Sequence, residues 1–338
     1  MDNRTRYEGI EGLKAYAIIG IALMHVLANG KYGMGGFVFE RFIPSFTNLV
    51  FLFMMVSGFG MCCGYYQKIV DQKISVEDFY KKRYIKIWPY FALLCALDFV
   101  ISPSKNSLHE VFANLTLCQG LLPDAHISVI GVSWTLAVIF VFYMLFPFFC
   151  FLIGNKRRAW GVAAAALVFN WLCGSYFNAG RTNIVYDAIY FIAGGLIFLY
   201  RKELAEFASK YKIVAAAILL IATVAYFALG SSTLTMLFFC VAALIYTLGC
   251  RTGGGVLVNP VAKFLGGISF EIYLCHMVIY RVLEKLHLVH LFGSGLLAYI
   301  FTAVAVICGS VVFSVCAKWF LNKIETFLKE RVRRVNHV

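Results

Sequence analysis

Two histidines lie inside apolar stretches, and each shares a helical face with other polar side chains. Lys14 and His25 are eleven residues apart. At about 100° per residue this spacing leaves them roughly 20° from a common face, with a rise of roughly 16 Å. Ser269, Tyr273 and His276 follow the i, i+4, i+7 pattern of a second face. Counted from residue 265, His276 sits about 16 Å along its helix, as deep as His25. Arg83 and Lys86, three residues apart in Lys81-Lys82-Arg83-Tyr84-Ile85-Lys86-Ile87-Trp88-Pro89, share a third face. Their charge and the forked donors of arginine suit a phosphate-bearing ligand.

Taken singly, each group has a plainer explanation: a snorkelling lysine, core histidines bonded to carbonyls, a basic loop. Taken together they argue otherwise. Polar side chains at membrane depth are expensive and mark function by default. Two imidazoles at matching depth, on helices that start from the same side, are expected to share one buried layer behind a cationic entrance.

These groups must be positioned by helices in lipid. Of 338 residues, 61% are hydrophobic and 14% charged, against roughly 25% charged in a soluble domain. Mean hydropathy is +0.80. Too few polar residues exist to cover a soluble surface, so the expected fold class is all-α, a polytopic membrane bundle. Apolar runs near 13–30, 46–66, 87–102, 127–153, 159–176, 183–200, 212–230, 232–250, 265–282 and 292–320 predict about ten transmembrane helices. The third is short and carries Asp98; the last is long enough to leave the membrane along its surface.

The net charge of +13 would suggest nucleic acid in a soluble chain. Here it follows the bias of basic residues toward cytoplasmic loops. With the N-terminus inside, 24 of the 30 Lys and Arg residues fall on the cytoplasmic side and 6 outside. Both termini are therefore expected in the cytoplasm, with a multi-pass protein in the plasma or inner membrane. Residues 1–330 read as one membrane domain and 331–338 as a basic tail. The N-terminal run does not read as a cleavable signal peptide, and the Gly253-Gly254-Gly255 run reads as a flexible connection. The 11 cysteines are scattered without a CxxC pair and read as buried apolar side chains. His287 and His290 are too few to hold a metal, so no metal, bound cofactor or nucleic-acid partner is expected. Asp98 and Asp187 each call for a basic partner that the sequence alone does not identify, and Asn170 is a further polar residue near a span.

Five stretches resemble the acyltransferase 3 family of integral membrane acyltransferases. Arg6-Tyr7-Glu8-Gly9-Ile10-Glu11-Gly12-Leu13-Lys14 followed by His25 is similar to its R-x10-H motif, with Lys14 in place of arginine. Phe51-Leu52-Phe53-Met54-Met55-Val56-Ser57-Gly58-Phe59 resembles F-F-x-x-S-G-F. Arg83, Lys86 and Pro89 match R-x-x-R-x-x-P, again with one lysine for arginine. The run from Leu265 to His276 resembles L-G-x-x-S-x-x-x-Y-L-x-H. Ser133-Trp134-Thr135-Leu136 through Tyr143 is similar to W-S-L-x-x-E-x-x-F-Y, but Ile139 stands where that pattern has glutamate.

The resemblance implies transfer of an acyl group, usually acetyl, from cytoplasmic acyl-CoA to a hydroxyl of a glycan or other envelope molecule. On that reading Lys14, Arg83 and Lys86 hold the CoA phosphates. His25 is the general base, His276 or Tyr273 orients it or stabilises the oxyanion, and Ser57, Trp134 and Ser269 support the site. The two lysines keep charge but lose bidentate geometry. A transporter of a lipid-linked sugar or small solute is the main alternative, since intramembrane histidines also serve proton-coupled transport. A non-catalytic sensor or scaffold leaves the matched histidines unexplained.

Overall fold

A computed structural model describes residues 7–101, 103–121, 127–250 and 255–335. Arg4, Arg6, Arg251, the start of the glycine run and the end of the basic tail lie outside these. Among the described residues there are helices and no strand. The long helices are α1 (Glu8–Gly30), α2 (Leu49–Met61), α3 (Val76–Ile101), α4 (Lys105–Thr116), α5 (Ser133–Leu152), α6 (Lys156–Ser175) and α7 (Ile184–Leu199). They continue as α8 (Arg201–Lys210), α9 (Lys212–Leu229), α10 (Thr233–Gly249), α11 (Pro260–Gly267), α12 (Ser269–Lys285) and α13 (Leu296–Val335).

All ten expected segments are helical, but the expected count of ten spans is not reached. Among the described residues, six helices are long and apolar enough to cross a membrane, and eight if each bent pair is one span. The reasons are local. Helix α6 opens on Lys156, Arg157 and Arg158, which dilute its apolar stretch. Helix α10 has only 17 residues. Helix α7 passes only together with α8, across a 77° bend, and α11 only with α12, across a 72° bend. The basic cluster before Trp88 is helical too, because α3 begins at Val76 rather than after the cluster. The last helix runs unbroken for 40 residues, about 60 Å, twice the roughly 30 Å of a hydrocarbon core.

Composition sets which helices lie inside. Helix α9 buries little beyond Ala215, Ala222 and Tyr226, and turns Ile213, Leu220, Ile221 and Val224 outward. That suits a perimeter helix facing lipid. Helices α2 and α7 lie at the centre, with Phe51 stacked on Tyr190 at 4.5 Å and Phe191 on Phe142 of α5 at 4.2 Å. Their axes approach closely because each presents a glycine to the other's backbone. A Cβ on Gly58 would stand 2.4 Å from the Phe191 carbonyl oxygen, and one on Gly194 would stand 2.2 Å from that of Met55. Small residues are the usual means of close helix contact where no hydrophobic drive separates helix from lipid.

Helix α1 is seated by the same device. It starts with Glu8 and Glu11 in its first turn, favourable to the helix dipole. It ends where Lys31 takes a left-handed conformation, φ 48°. Helix α11 lies against it so closely that a Cβ on Gly266 would stand 2.0 Å from the Glu11 carbonyl oxygen.

Substituting Gly194 by valine is expected to force α7 off α2. Overpacking of this kind costs about 1–3 kcal/mol. Thermal unfolding in detergent should show a lowered midpoint for Gly194→Val and an unchanged or raised one for Gly161→Ala, where a Cβ meets nothing within 4 Å.

Candidate active site

Helices α1 and α12 bring the two histidines together. The His25 and His276 rings lie 5.2 Å apart between centroids, inclined by 48°. The chain is not one straight helix from residue 265, as the spacing alone predicts, but bends by 72° at Ile268. The rings meet all the same, because α11 lies across the start of α1 and α12 rises beside it. His276 is fully buried. Its Nδ1 lies 2.7 Å from the carbonyl oxygen of Tyr273, which can only accept, so Nδ1 carries the proton. The lone pair is left on Nε2, which is buried and has no partner. Neutral His276 is thus an acceptor at Nε2, and a direct oxyanion-donor role does not fit this tautomer. His25 is only partly buried.

Tyr273 sits one turn before His276, with ring centroids 5.9 Å apart. Its hydroxyl donates toward Thr135 Oγ1 at 2.9 Å and the Val132 carbonyl at 3.2 Å, both at the start of α5. That part of the chain is clipped in place from several sides. Asp98 of α3 pairs with Arg281 of α12 at 2.7 Å and also accepts from the Ile130 amide at 3.0 Å. Arg281 donates to the Ser128 carbonyl at 2.7 Å. One oxygen of Glu110 on α4 accepts from the Ser128 amide, the Ser128 hydroxyl and the Val129 amide at 2.7–2.8 Å. Burial alone would raise the Glu110 carboxyl, but these donors outweigh it and hold the group below the usual carboxylate range. Asn114, Gln119 and Ser133 complete a buried polar cluster next to it. The partner of Asp98 is therefore Arg281, which lies 183 residues away in the chain.

Charge bias alone makes Arg181 one of the six outer basic residues and nothing more. The structure places it at the His25 end of α1, where its field reaches His25, Tyr273 and Asp187. Its guanidinium lies over the Trp134 ring at 4.9 Å and donates to Thr47 Oγ1 at 3.0 Å. Asp187 is completely buried, and neither of its oxygens has a hydrogen-bond partner. Asn170 donates to the Tyr186 carbonyl at 2.8 Å and so ties α6 to α7.

At the opposite end, the three expected cations gather. Lys86 lies in the field of Arg83 and Lys14, and of Glu271 as well. Lys14 pairs with Glu11 at 2.8 Å, and Glu271 with Lys318 at 2.9 Å. Arg83 stacks on Tyr65 at 4.4 Å, bonds its hydroxyl, and faces Tyr143 at 5.8 Å. Tyr65 is carried on a π-helical turn, Cys62–Tyr66, that interrupts the helix after α2. Ser57 lies close to the Tyr143 hydroxyl and so borders the same box. On α5, Ile139 is one turn from both Thr135 and Tyr143, so it occupies the face between the two ends. Glu271 and His276 are five residues apart on α12, about 7.5 Å along its axis.

The chain therefore unites His25, His276 and Tyr273 at one place, and Lys14, Arg83 and Lys86 at another. Trp134 belongs to Arg181 rather than to the histidines. The Ser269 hydroxyl turns back to the Gly266 carbonyl at 2.8 Å and closes the end of α11. Residues 7–315 match a family model described as an acyltransferase domain, that of the acyltransferase 3 family. No curated protein and no solved structure matches the chain.

The clip on residues 128–130 has two expected signatures. Replacing Arg281 by alanine leaves the buried Asp98 without its cation and should cost about 3–5 kcal/mol, most of it regained by adding Asp98→Leu. Thermal melts of the single and double variants check this. Because the Glu110 carboxyl is held low, its contribution is complete above its ordinary pKa and lost as pH falls below roughly 4. Protection of the Ser128 and Val129 amides, taken relative to their intrinsic exchange rates, should fall there, and Glu110→Gln should remove the pH dependence.

Proposed function

This chain belongs to the acyltransferase 3 family, and on that premise we propose that it moves an acyl group, acetyl in the simplest case, from acyl-CoA to a hydroxyl of a glycan or other cell-envelope molecule. Membership makes it a membrane acyltransferase. The donor, the acceptor and the sidedness are the proposal.

The observation that carries the reading is the oriented imidazole pair. His276 is fixed by the Tyr273 carbonyl and presents a free Nε2 lone pair beside the His25 ring. In the proposed reaction Nε2 of His276 accepts the ring N–H of His25, and the other His25 nitrogen takes the proton of the acceptor hydroxyl. A base oriented by a second group, itself oriented by a third, is the general logic of an activated nucleophile. Catalytic hydrogen bonds commonly tighten only when substrate is bound. The acceptor oxygen attacks the thioester carbonyl and the C–O bond forms. The C–S bond then breaks, and the imidazolium returns its proton to the CoA thiolate. Tyr273 is the proposed oxyanion donor once its hydroxyl turns from Thr135.

Lys14, Arg83 and Lys86 are the proposed seat of the CoA phosphates. The bias of basic residues supports placing this end in the cytoplasm, with both termini on that side and the protein in the plasma or inner membrane. Ile139 removes the glutamate seen in the family pattern. Its place between Thr135 and Tyr143 supports a seam from cations to histidines that is apolar at its middle, so proton transfer falls to the histidine pair.

Two broken helices also suit a transporter, and consumption of acetyl-CoA by the purified protein separates the readings. His25→Ala is expected to lower acetyl transfer by about 10²–10⁴-fold; near-normal transfer would refute the assignment. Lys86→Gln is expected to raise KM for acetyl-CoA several-fold with kcat little changed, the mark of lost ground-state binding.

A further inference from the structure

Arg181 is a partly buried cation, in the turn between α6 and α7, that the proposed reaction does not use. A guanidinium is ionised at every relevant pH and has five N–H donors. Such groups pair with an anion, or they line a substrate path. Here one donor reaches Thr47, and the plane rests on Trp134. Among the described residues no carboxylate lies within ion-pair distance. Asp187 shares its field, but the Asp187 oxygens accept no hydrogen bond from it or from any other group. The guanidinium is thus held in place by an aromatic ring and a hydroxyl, neither of which neutralises it, while most of its fork remains unbonded.

Its position indicates what it could take. Arg181 rests on Trp134, the chain neighbour of the Thr135 whose hydroxyl accepts from Tyr273, and its charge is felt at His25. It lies at the His25 end of α1, roughly 16 Å along that helix from Lys14. The phosphates of CoA already have a cationic seat at the Lys14 end, so an anion at Arg181 belongs to the other substrate. A planar fork recognises carboxylate or phosphate by two parallel bonds.

We propose that Arg181, fixed by Trp134 and Thr47, is an acceptor subsite that binds a carboxylate or phosphate group carried by the acceptor close to the hydroxyl that is acylated. The proposal rests on the acyl-transfer reading for its purpose, though not for the binding itself.

The test uses the full chain in lipid nanodiscs with three probes on one sugar ring: methyl glucoside, methyl glucuronide and glucose 6-phosphate. Binding is read by thermal stabilisation, and acetyl transfer from acetyl-CoA by mass spectrometry. At least one charged sugar is expected to bind about tenfold or more tightly than the neutral one, and which one identifies carboxylate or phosphate as the source. Arg181→Gln should remove that preference and Arg181→Lys should retain part of it, with both variants melting near the wild type. Equal binding of all three probes by the wild type overturns the proposal. So does an Arg181→Gln variant that loses all three alike, the result for a purely structural residue, or one that keeps the preference while transfer to every sugar falls, the result for an oxyanion donor. Selective binding without any acetyl-CoA consumption would leave the subsite standing and sink acyl transfer instead.

Discussion

The bond from His276 Nδ1 to the Tyr273 carbonyl is the constraint around which the centre of this protein is arranged. An imidazole in a dry interior must settle its own hydrogen bonding, since no bulk water is there to do so. Using a carbonyl one turn back does this within a single helix, and it decides which nitrogen is left bare. Everything nearby then has to bring something useful to that nitrogen. Helix α1 brings His25, and the clipped start of α5 holds Tyr273 so that the carbonyl and ring keep their place.

Bringing α1 and α12 together is a matter of backbone rather than side-chain bulk. Gly266 lets α11 lie on α1. Just beyond it, Ser269 closes the broken end of α11, and the chain turns by 72° into α12. The bend has a use. A straight helix pressed this closely on α1 at its start would have to follow the same crossing line throughout. The break lets the first segment serve adhesion and the second serve placement of His276.

The sequence made the intrahelical part of the site legible. Lys14 with His25, and Tyr273 with His276, are consequences of the 3.6-residue repeat. The sequence was silent wherever a partner comes from a distant element. Asp98 meets Arg281 across 183 residues, and Arg181 looked like one more basic loop residue until Trp134 and Thr47 were seen to hold it. Ser269 shows the opposite failure: it has the right period for the histidine face, yet a nearer carbonyl claims its hydroxyl. Whether six or eight of the described helices stand as spans has a similar origin. Apolar runs reveal helices well, but they do not tell whether a helix is straight or folded on itself, as α7–α8 and α11–α12 are.

The π turn at Cys62–Tyr66 has its own implication. Such a turn is one residue wider than the α-helix around it, and it commonly marks an insertion that the helix absorbed without unwinding. The chain after Cys62 is thus out of phase with the chain before it. Deleting one residue would restore the regular winding and swing Tyr65 by about 100° around the axis, away from Arg83. The seat that Tyr65 offers that arginine is therefore a product of the phase of the helix, and a chain wound regularly through Cys62 would leave Arg83 with Tyr143 alone.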